Sequence, residues 1–254
     1  MQTITLEGLL KDMRVLVTGG SGSLGRGIAL AAARAGARVA FTWNTNENGA
    51  QETIALLTQL GSEHRAIRSR LDTKDEAESV AREVAHAWRG IDALVNNAGM
   101  SEAMPFVLMS EDDMRRMLDT NFMSAFRMTQ AVLRGMIRQK FGRIVNISSI
   151  VASRSIPGPA HYAASKAAME GLTRSLSQEV GRYNVLVNAI AAGIFEGGLK
   201  ATIPEHHQKR YIDACALNRL GQPEECGALA VWLMSAANSY QNGTVTILDG
   251  GTVA

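Results

Sequence analysis

Cysteine is scarce in this chain: there are two in 254 residues, Cys215 and Cys226, with no C-x-x-C spacing. That excludes a disulfide framework and favours a reducing compartment, with structural thiols the plainer reading. No stretch approaches the ~18 apolar residues of a membrane span, and the opening "MQTITLEGLLKDM" has no basic segment leading into an apolar core. A cytoplasmic protein without a membrane partner is therefore expected. Neither sign of charge dominates: 26 Lys+Arg against 24 Asp+Glu leave +2, so the charge balance gives no general attraction to nucleic acid or to a membrane surface. The five histidines never combine with cysteines or carboxylates at metal-ligand spacing, and no metal site is expected. With only five prolines, no low-complexity tract and no solenoid repeat, nothing marks a linker, and residues 1–254 read as a single domain.

What is present is an alternation of short apolar runs and helical segments. "RVLVTGG" (14–20) is a strand ending in glycines, and the alanine-rich stretch 23–37 follows as a helix closed by Gly36. Strands are then expected at 38–43, 64–71, 91–99, 142–149, 184–191 and 244–251. Helices are expected at 47–61, 74–90, 110–140, 160–182 and about 222–236. Repeated βα units predict an α/β fold: a parallel, doubly wound Rossmann sheet with helices on both faces.

The first βα turn of such a sheet is where dinucleotides sit, and here it reads "TGGSGSLGRG". Backbone N–H groups and the positive end of a helix dipole converge there, which suits a pyrophosphate. A glycine-rich turn alone is weak, since tight turns use glycine for conformation, and the strict G-x-G-x-x-G spacing is not met. The second strand ends Phe41, Thr42, Trp43, Asn44 without the carboxylate that binds a ribose 2′-OH in NAD sites. NADP(H) is therefore favoured, although no arginine or lysine stands there either.

"HYAASKAAMEG" (161–171) places Tyr162 and Lys166 four positions apart in a predicted helix. Residues i and i+4 share a helix face about 5–6 Å apart. A phenol titrates near 10, and moving it two or three pH units toward neutrality takes about 3–4 kcal/mol, which a partly buried cation can supply. Taken alone the pair also fits an incidental surface contact. The strand "IVNISS" (144–149) ends in two serines at the edge where doubly wound folds keep their ligands, "NNAG" (96–99) ends another strand, and Asn121 falls inside an amphipathic helix.

With "LD" at 71–72, "VNAIAAG" and the closing "GTVTILDGG", these features together resemble the short-chain dehydrogenase/reductase family over essentially the whole chain. Within it, "NRLGQPEE" (218–225) and the tail are similar to the bacterial 3-oxoacyl-acyl-carrier-protein reductases. The resemblance implies that Tyr162 donates the proton to a carbonyl oxygen, Lys166 lowers its pKa and binds the nicotinamide ribose, and Ser149 rather than Ser148 orients that oxygen. Asn121 would hold a water linking Lys166 to solvent. It further implies that Gly19, Ser21, Ser23, Leu24 and Gly25 take the pyrophosphate side, and that Asn44, Leu71 and Asp72 take the adenosine end. Asn97, Ala98, Gly99, Gly193 and Ile194 would flank the rest of the cofactor.

Three departures stand out. Glycine is usual in the family where Ser23 stands, proline where Ala192 stands, and threonine where Gly197 stands. The Arg-Asp pair common after "NAG" in fatty-acid-synthesis reductases is replaced by "MSEAMPF" (100–106). Housekeeping fatty-acid elongation is accordingly disfavoured, and the expected substrate is a carrier-protein-bound β-ketoacyl chain of a fatty-acid-like, polyketide or polyene pathway. A free alcohol, sugar or steroid carbonyl is the rival, and a non-catalytic dinucleotide-binding regulator is the reading from another class. Residues 193–214 are expected to form a lid. Met100, Met104, Phe106, Ile150 and Ile156 are expected to line an acyl pocket or to pack in the core. Arg138, Lys140, Arg143, Arg174 and Arg182 are candidates to meet an acidic carrier, or form a solvated face. His161 reads as a solvent-facing residue at a helix start, with a substrate contact as the alternative. A homotetramer or homodimer is implied, built on helices 110–140 and 160–182, where Ala163, Ala164, Ala167 and Ala168 allow close approach.

Overall fold

A computed structural model describes residues 6–154, 156–198, 200 and 203–252 of the protein. Leu199, Ala201 and Thr202, which fall in the expected lid, lie outside the described residues. Seven parallel strands lie in the order β3-β2-β1-β4-β5-β6-β7. They are β1 (Arg14–Val17), β2 (Arg38–Trp43), β3 (His64–Arg68), β4 (Ala93–Asn96), β5 (Gly142–Ser149), β6 (Val185–Ala192) and β7 (Val245–Leu248). The chain runs outward from β1 to β3, crosses back to β4, and then runs outward the other way. The carboxyl ends of β1 and β4 thus bound a crevice at the point where the order reverses, the place such sheets offer to ligands.

Side-chain alternation along the strands explains the two cores. Val15 and Val17 face one way and pack with Ile28 and Ala32 of α1 (Ser23–Arg34), Leu57 of α2 (Glu47–Gln59) and Val231 of α9 (Pro223–Met234). Leu16 faces the other way and packs with Val84 of α3 (Lys74–Trp88), Met128 of α5 (Ser124–Gln139) and Val180 of α7 (Ala160–Val180). All eight residues of β5 and all eight of β6 are buried, as a strand covered on both faces requires. The near-continuous apolar runs in the sequence have this cause.

Helix starts follow local chemistry. The Asn46 side chain accepts the Gly49 N–H (3.0 Å) at α2, Thr73 accepts that of Glu76 (3.2 Å) at α3, and Ser110 forms a capping box with Asp113 at α4 (Glu111–Leu118). The single helix expected over 110–140 is two: a five-residue π-helical turn, Asp119–Met123, joins α4 to α5. Two short elements were not resolved from the sequence, α6 (Ile150–Ser153) and α8 (Glu205–Ala214). Among the described residues no helix is long and apolar enough to cross a membrane, and no cluster of potential metal ligands occurs.

Candidate active site

The crevice is a cleft of about 1220 Å³, above the 300–1,000 Å³ range common for small-ligand pockets and large enough for a dinucleotide and a second molecule. At one end lies the turn between β1 and α1. Gly19 has φ +71°, and a Cβ at Gly25 would stand 2.3 Å from the Gly19 carbonyl oxygen and 2.6 Å from Asn97 Nδ2. Only glycine fits at either place. Asn97 locks the turn by donating from Nδ2 to the carbonyls of Thr18 (2.9 Å) and Gly19 (3.2 Å). The Thr18 hydroxyl in turn accepts the Asn97 and Ala98 N–H groups at 3.0 and 2.9 Å. Thr18, which sequence reasoning passed over, is thus the brace that ties β1 to β4. The tight backbone and the N-terminus of α1 form the cradle a pyrophosphate needs.

Further along the cleft come Thr42, Trp43, Asn44, Asn46, Ser69, Arg70, Leu71 and Asp72. Leu71 is buried with φ +59°, an unusual backbone state for a branched side chain that points to a constrained, functional position. A cation, Arg70, stands among them. It comes from the β3–α3 connection and pairs its Nε with Asp72 Oδ2 at 2.8 Å.

The chemistry gathers at the carboxyl ends of β5 and the start of α7. Ser149 ends β5 and caps α6, accepting the Val151 N–H at 3.4 Å. Its neighbour Ser148 turns away, donating to Glu170 Oε1 (3.0 Å) and the Lys166 carbonyl (3.2 Å). Only Ser149 is placed to meet a ligand oxygen beside Tyr162. The nearby Ser149 hydroxyl favours the phenolate, but burial outweighs it and pushes the Tyr162 phenol above its usual 10. Lys166 is buried without a carboxylate partner among the described residues, donates from Nζ to the Ile147 carbonyl at 2.8 Å, and is pushed down from 10.5 to about 8. Its Nζ lies 5.8 Å from the Tyr162 ring centre. The expected acidification of the phenol by that ammonium is therefore corrected: before any ligand binds, desolvation dominates both groups and moves each toward its neutral form.

Fourteen further expectations of position can be read against the cleft: Gly19, Ser21, Ser23, Leu24, Gly25, Asn44, Leu71, Asp72, Asn97, Ala98, Gly99, Ser149, Gly193 and Ile194 all line it, as do Tyr162 and Lys166. Asn121 does not. It sits fully buried behind Gly99, donating to the Met100 carbonyl (2.9 Å) and Ser165 Oγ (3.0 Å) and accepting the Met100 N–H (2.8 Å). One lone pair of its Oδ1 is left for a water. Met100, Met104, Ile150 and Ile156 line the substrate end, whereas Phe106 is 73% exposed and does not. The five basic carrier-facing candidates also miss the cleft; Arg143, for instance, is buried at the opposite end of β5 over the Phe141 ring at 4.4 Å. The cations that do line it are Arg70, Lys166, Lys200 and Arg210. His161 is fully buried rather than solvent-facing, its Nδ1 accepting the Tyr162 N–H at 3.0 Å.

A parallel doubly wound sheet with a glycine turn at its switch point and a Ser-Tyr-Lys cluster across the same cleft defines a nicotinamide-dinucleotide oxidoreductase. The chain belongs to the short-chain dehydrogenase/reductase family: a family model described as enoyl-(acyl carrier protein) reductase matches residues 19–253. It is 36% identical over 236 residues to the 3-oxoacyl-acyl-carrier-protein reductase FabG of Aquifex aeolicus, covering 93% of this chain and 95% of that protein. Among solved structures it resembles a short-chain type dehydrogenase/reductase from Mycobacterium marinum, with TM-score 0.91, 30% identity and 97% of each chain covered. It also resembles an NAD+-bound xylitol dehydrogenase, with TM-score 0.88, 28% identity, and 95% of this chain and 98% of that one covered.

Proposed function

We propose that this protein reduces a β-ketoacyl thioester to the β-hydroxyacyl product with NADPH, the acyl chain being carried by an acyl carrier protein in a polyketide- or polyene-like pathway. The observation that carries the reading is the placement of Ser149, Tyr162 and Lys166 at one end of a cleft whose other end is the glycine turn. Likeness to 3-oxoacyl-acyl-carrier-protein reductases supports the substrate class, and the apolar wall of Met100, Met104, Ile150 and Ile156 supports an acyl chain beyond the carbonyl. The absence of a carboxylate at the end of β2, with Arg70 at hand, supports a 2′-phosphate.

Gly19, Ser21, Ser23, Leu24 and Gly25 would hold the pyrophosphate, with Asn44, Leu71 and Asp72 at the adenosine. Asn97, Ala98, Gly99, Lys166, Gly193 and Ile194 would flank the nicotinamide half. The bound dinucleotide supplies the hydride. The protein's part is to orient and protonate: Ser149 donates to the substrate carbonyl oxygen, and Tyr162, beside it, gives that oxygen its proton. Lys166 keeps its charge at pH 7, since its pKa stands near 8, and stabilises the phenolate left behind. Asn121 holds Ser165 and the Met100 backbone in register behind Gly99, with a lone pair free for a proton-carrying water. Ala164 and Ala167 project to solvent from α7, which supports pairing of that helix with a second copy in a dimer or tetramer. Residues 193–214 are read as a lid over the cleft.

Replacing Tyr162 with Phe removes the proton donor alone. Turnover of a β-ketoacyl thioester should fall by about 10²–10⁴-fold with the dissociation constant for NADPH unchanged, and an unaltered rate would refute the role. Equal wild-type rates on the thioester and on unrelated free ketones would refute the substrate class.

A further inference from the structure

The two unusual residues of the cofactor turn and its facing loop meet in space. Ser23 is the first residue of α1, and the loop after β6 brings Gly197 and Gly198 directly over it. A Cβ at Gly197 would stand 2.8 Å from Ser23 Cβ and 2.9 Å from its Oγ; one at Gly198 would stand 2.7 Å from Oγ. Both glycines have positive φ, +75° and +53°. The loop is held in that shape by the Lys200 N–H donating to the Gly197 carbonyl (3.1 Å) and by the Lys200 Nζ ion pair with Glu196 (2.7 Å). Ser23, Gly197, Gly198 and Lys200 all line the cleft.

We propose that Ser23 and Gly197–Gly198 form a matched contact that seats the 193–198 loop on the pyrophosphate turn, and that the fit of this contact sets the affinity for the dinucleotide. Ser23 acts as a positioning residue: its Cβ fills the hollow that the two glycines leave, where the family pattern has the bulk on the loop and none on the turn. The two departures from that pattern therefore offset one another in volume. Its effect on affinity rests on the reading that a dinucleotide occupies this cleft; the contact itself does not.

The geometry separates the two glycines. The clash at Gly197 is with Ser23 Cβ as well as Oγ, and no rotamer can move the Cβ, whereas the clash at Gly198 is with Oγ alone, which rotation about the Ser23 side chain relieves in part. The strain of an alanine at positive φ is the same whatever occupies position 23, so it cancels in a double-mutant cycle. The test is such a cycle with Gly197→Ala and Ser23→Gly, read twice: as the NADPH dissociation constant by fluorescence, and as the melting temperature of the protein without cofactor. Gly197→Ala should weaken NADPH at least tenfold and lower the melting temperature. Adding Ser23→Gly should restore most of both losses, while adding Ser23→Ala, which keeps the Cβ, should not. Gly198→Ala should be partly rescued by Ser23→Ala. If Gly197→Ala costs as much with glycine at position 23 as with serine, in both readouts, the matched contact is overturned. If the wild-type protein binds no dinucleotide, the proposed function falls, and the melting-temperature cycle still decides the contact.

Discussion

Lys166 is the site's largest liability to folding, and its cost is measurable. The drop from 10.5 to about 8 is caused by burial alone, and it corresponds to about 3 kcal/mol spent on keeping the ammonium charged in the folded state at neutral pH. Replacing Lys166 with Met removes that cost but leaves the Ile147 carbonyl, now its acceptor at 2.8 Å, without a partner, a loss of about 1–2 kcal/mol. The Met variant should therefore be inactive yet more stable at pH 7 by about 1–2 kcal/mol, a rise in Tm of about 2–8 °C for a chain of this size. The sign with pH follows from proton counting. Between pH 8 and 10.5 the unfolded chain carries the lysine proton and the folded chain has released it, so wild-type stability rises through that window and gains nothing below it. By pH 9.5 the wild type has recovered about 2 kcal/mol, and the advantage of the variant should have vanished. Tyr162 does not confuse the window, since burial moves its titration above 10. Urea melts of both proteins at pH 7 and pH 9.5 decide the matter. A stability difference that is equal at the two pH values, or a Met variant less stable at pH 7, would show that the lysine charge is not paid for in this way.

The fold was legible because its signals are local and periodic. Short apolar runs gave every strand, and the alternation with helices gave parallel order, since a parallel neighbour needs a crossover. The residues facing the cleft were legible where a backbone role dictates the type: Gly19 and Gly25 tolerate no Cβ, and Asn97 carries the amide that clamps the Thr18 and Gly19 carbonyls. What stayed hidden depends on contacts between distant segments. The π-helical turn at Asp119–Met123 leaves the apolar stripe almost intact, so a continuous helix fits the sequence equally well. Arg70 sits on β3's exit rather than β2's, and only the parallel pairing of the two strands, with Trp43 level with Arg68, brings it to the end of the cleft lined by Trp43 and Asn44. His161 follows a proline-initiated helix start, where polarity suggests solvent, but the fold buries it completely. The Tyr162 and Lys166 pairing was visible as an i, i+4 face, while its electrostatics were not, because burial is not written in the spacing.

Two further substitutions probe the remaining elements of the site. Arg70→Ala should raise KM for NADPH by about tenfold, one charged hydrogen bond's worth, and leave KM for NADH unchanged; equal effects on both would place the 2′-phosphate elsewhere. Glu170 lies one helical turn beyond Lys166, nearly fully buried, and its carboxylate accepts from Ser148 Oγ at 3.0 Å, Ser153 Oγ at 2.5 Å and Arg174 Nη2 at 3.0 Å. It thereby fastens both ends of the short α6 turn that Ser149 caps, so it acts on the site through that serine rather than by touching a ligand. Glu170→Ala leaves the buried Ser148 hydroxyl with only the Lys166 carbonyl at 3.2 Å and the exposed Ser153 hydroxyl to solvent, and should cost about 1–2 kcal/mol, or about 2–8 °C in Tm. Loosening of Ser149 should lower kcat while KM for NADPH stays put, because the glycine turn is braced independently by Thr18 and Asn97. Glu170→Gln keeps an acceptor for one hydroxyl and should recover part of both Tm and kcat. A Glu170→Ala protein as stable as wild type, or one whose loss appears in KM for NADPH instead of kcat, would mean that the carboxylate does not hold the serine in place.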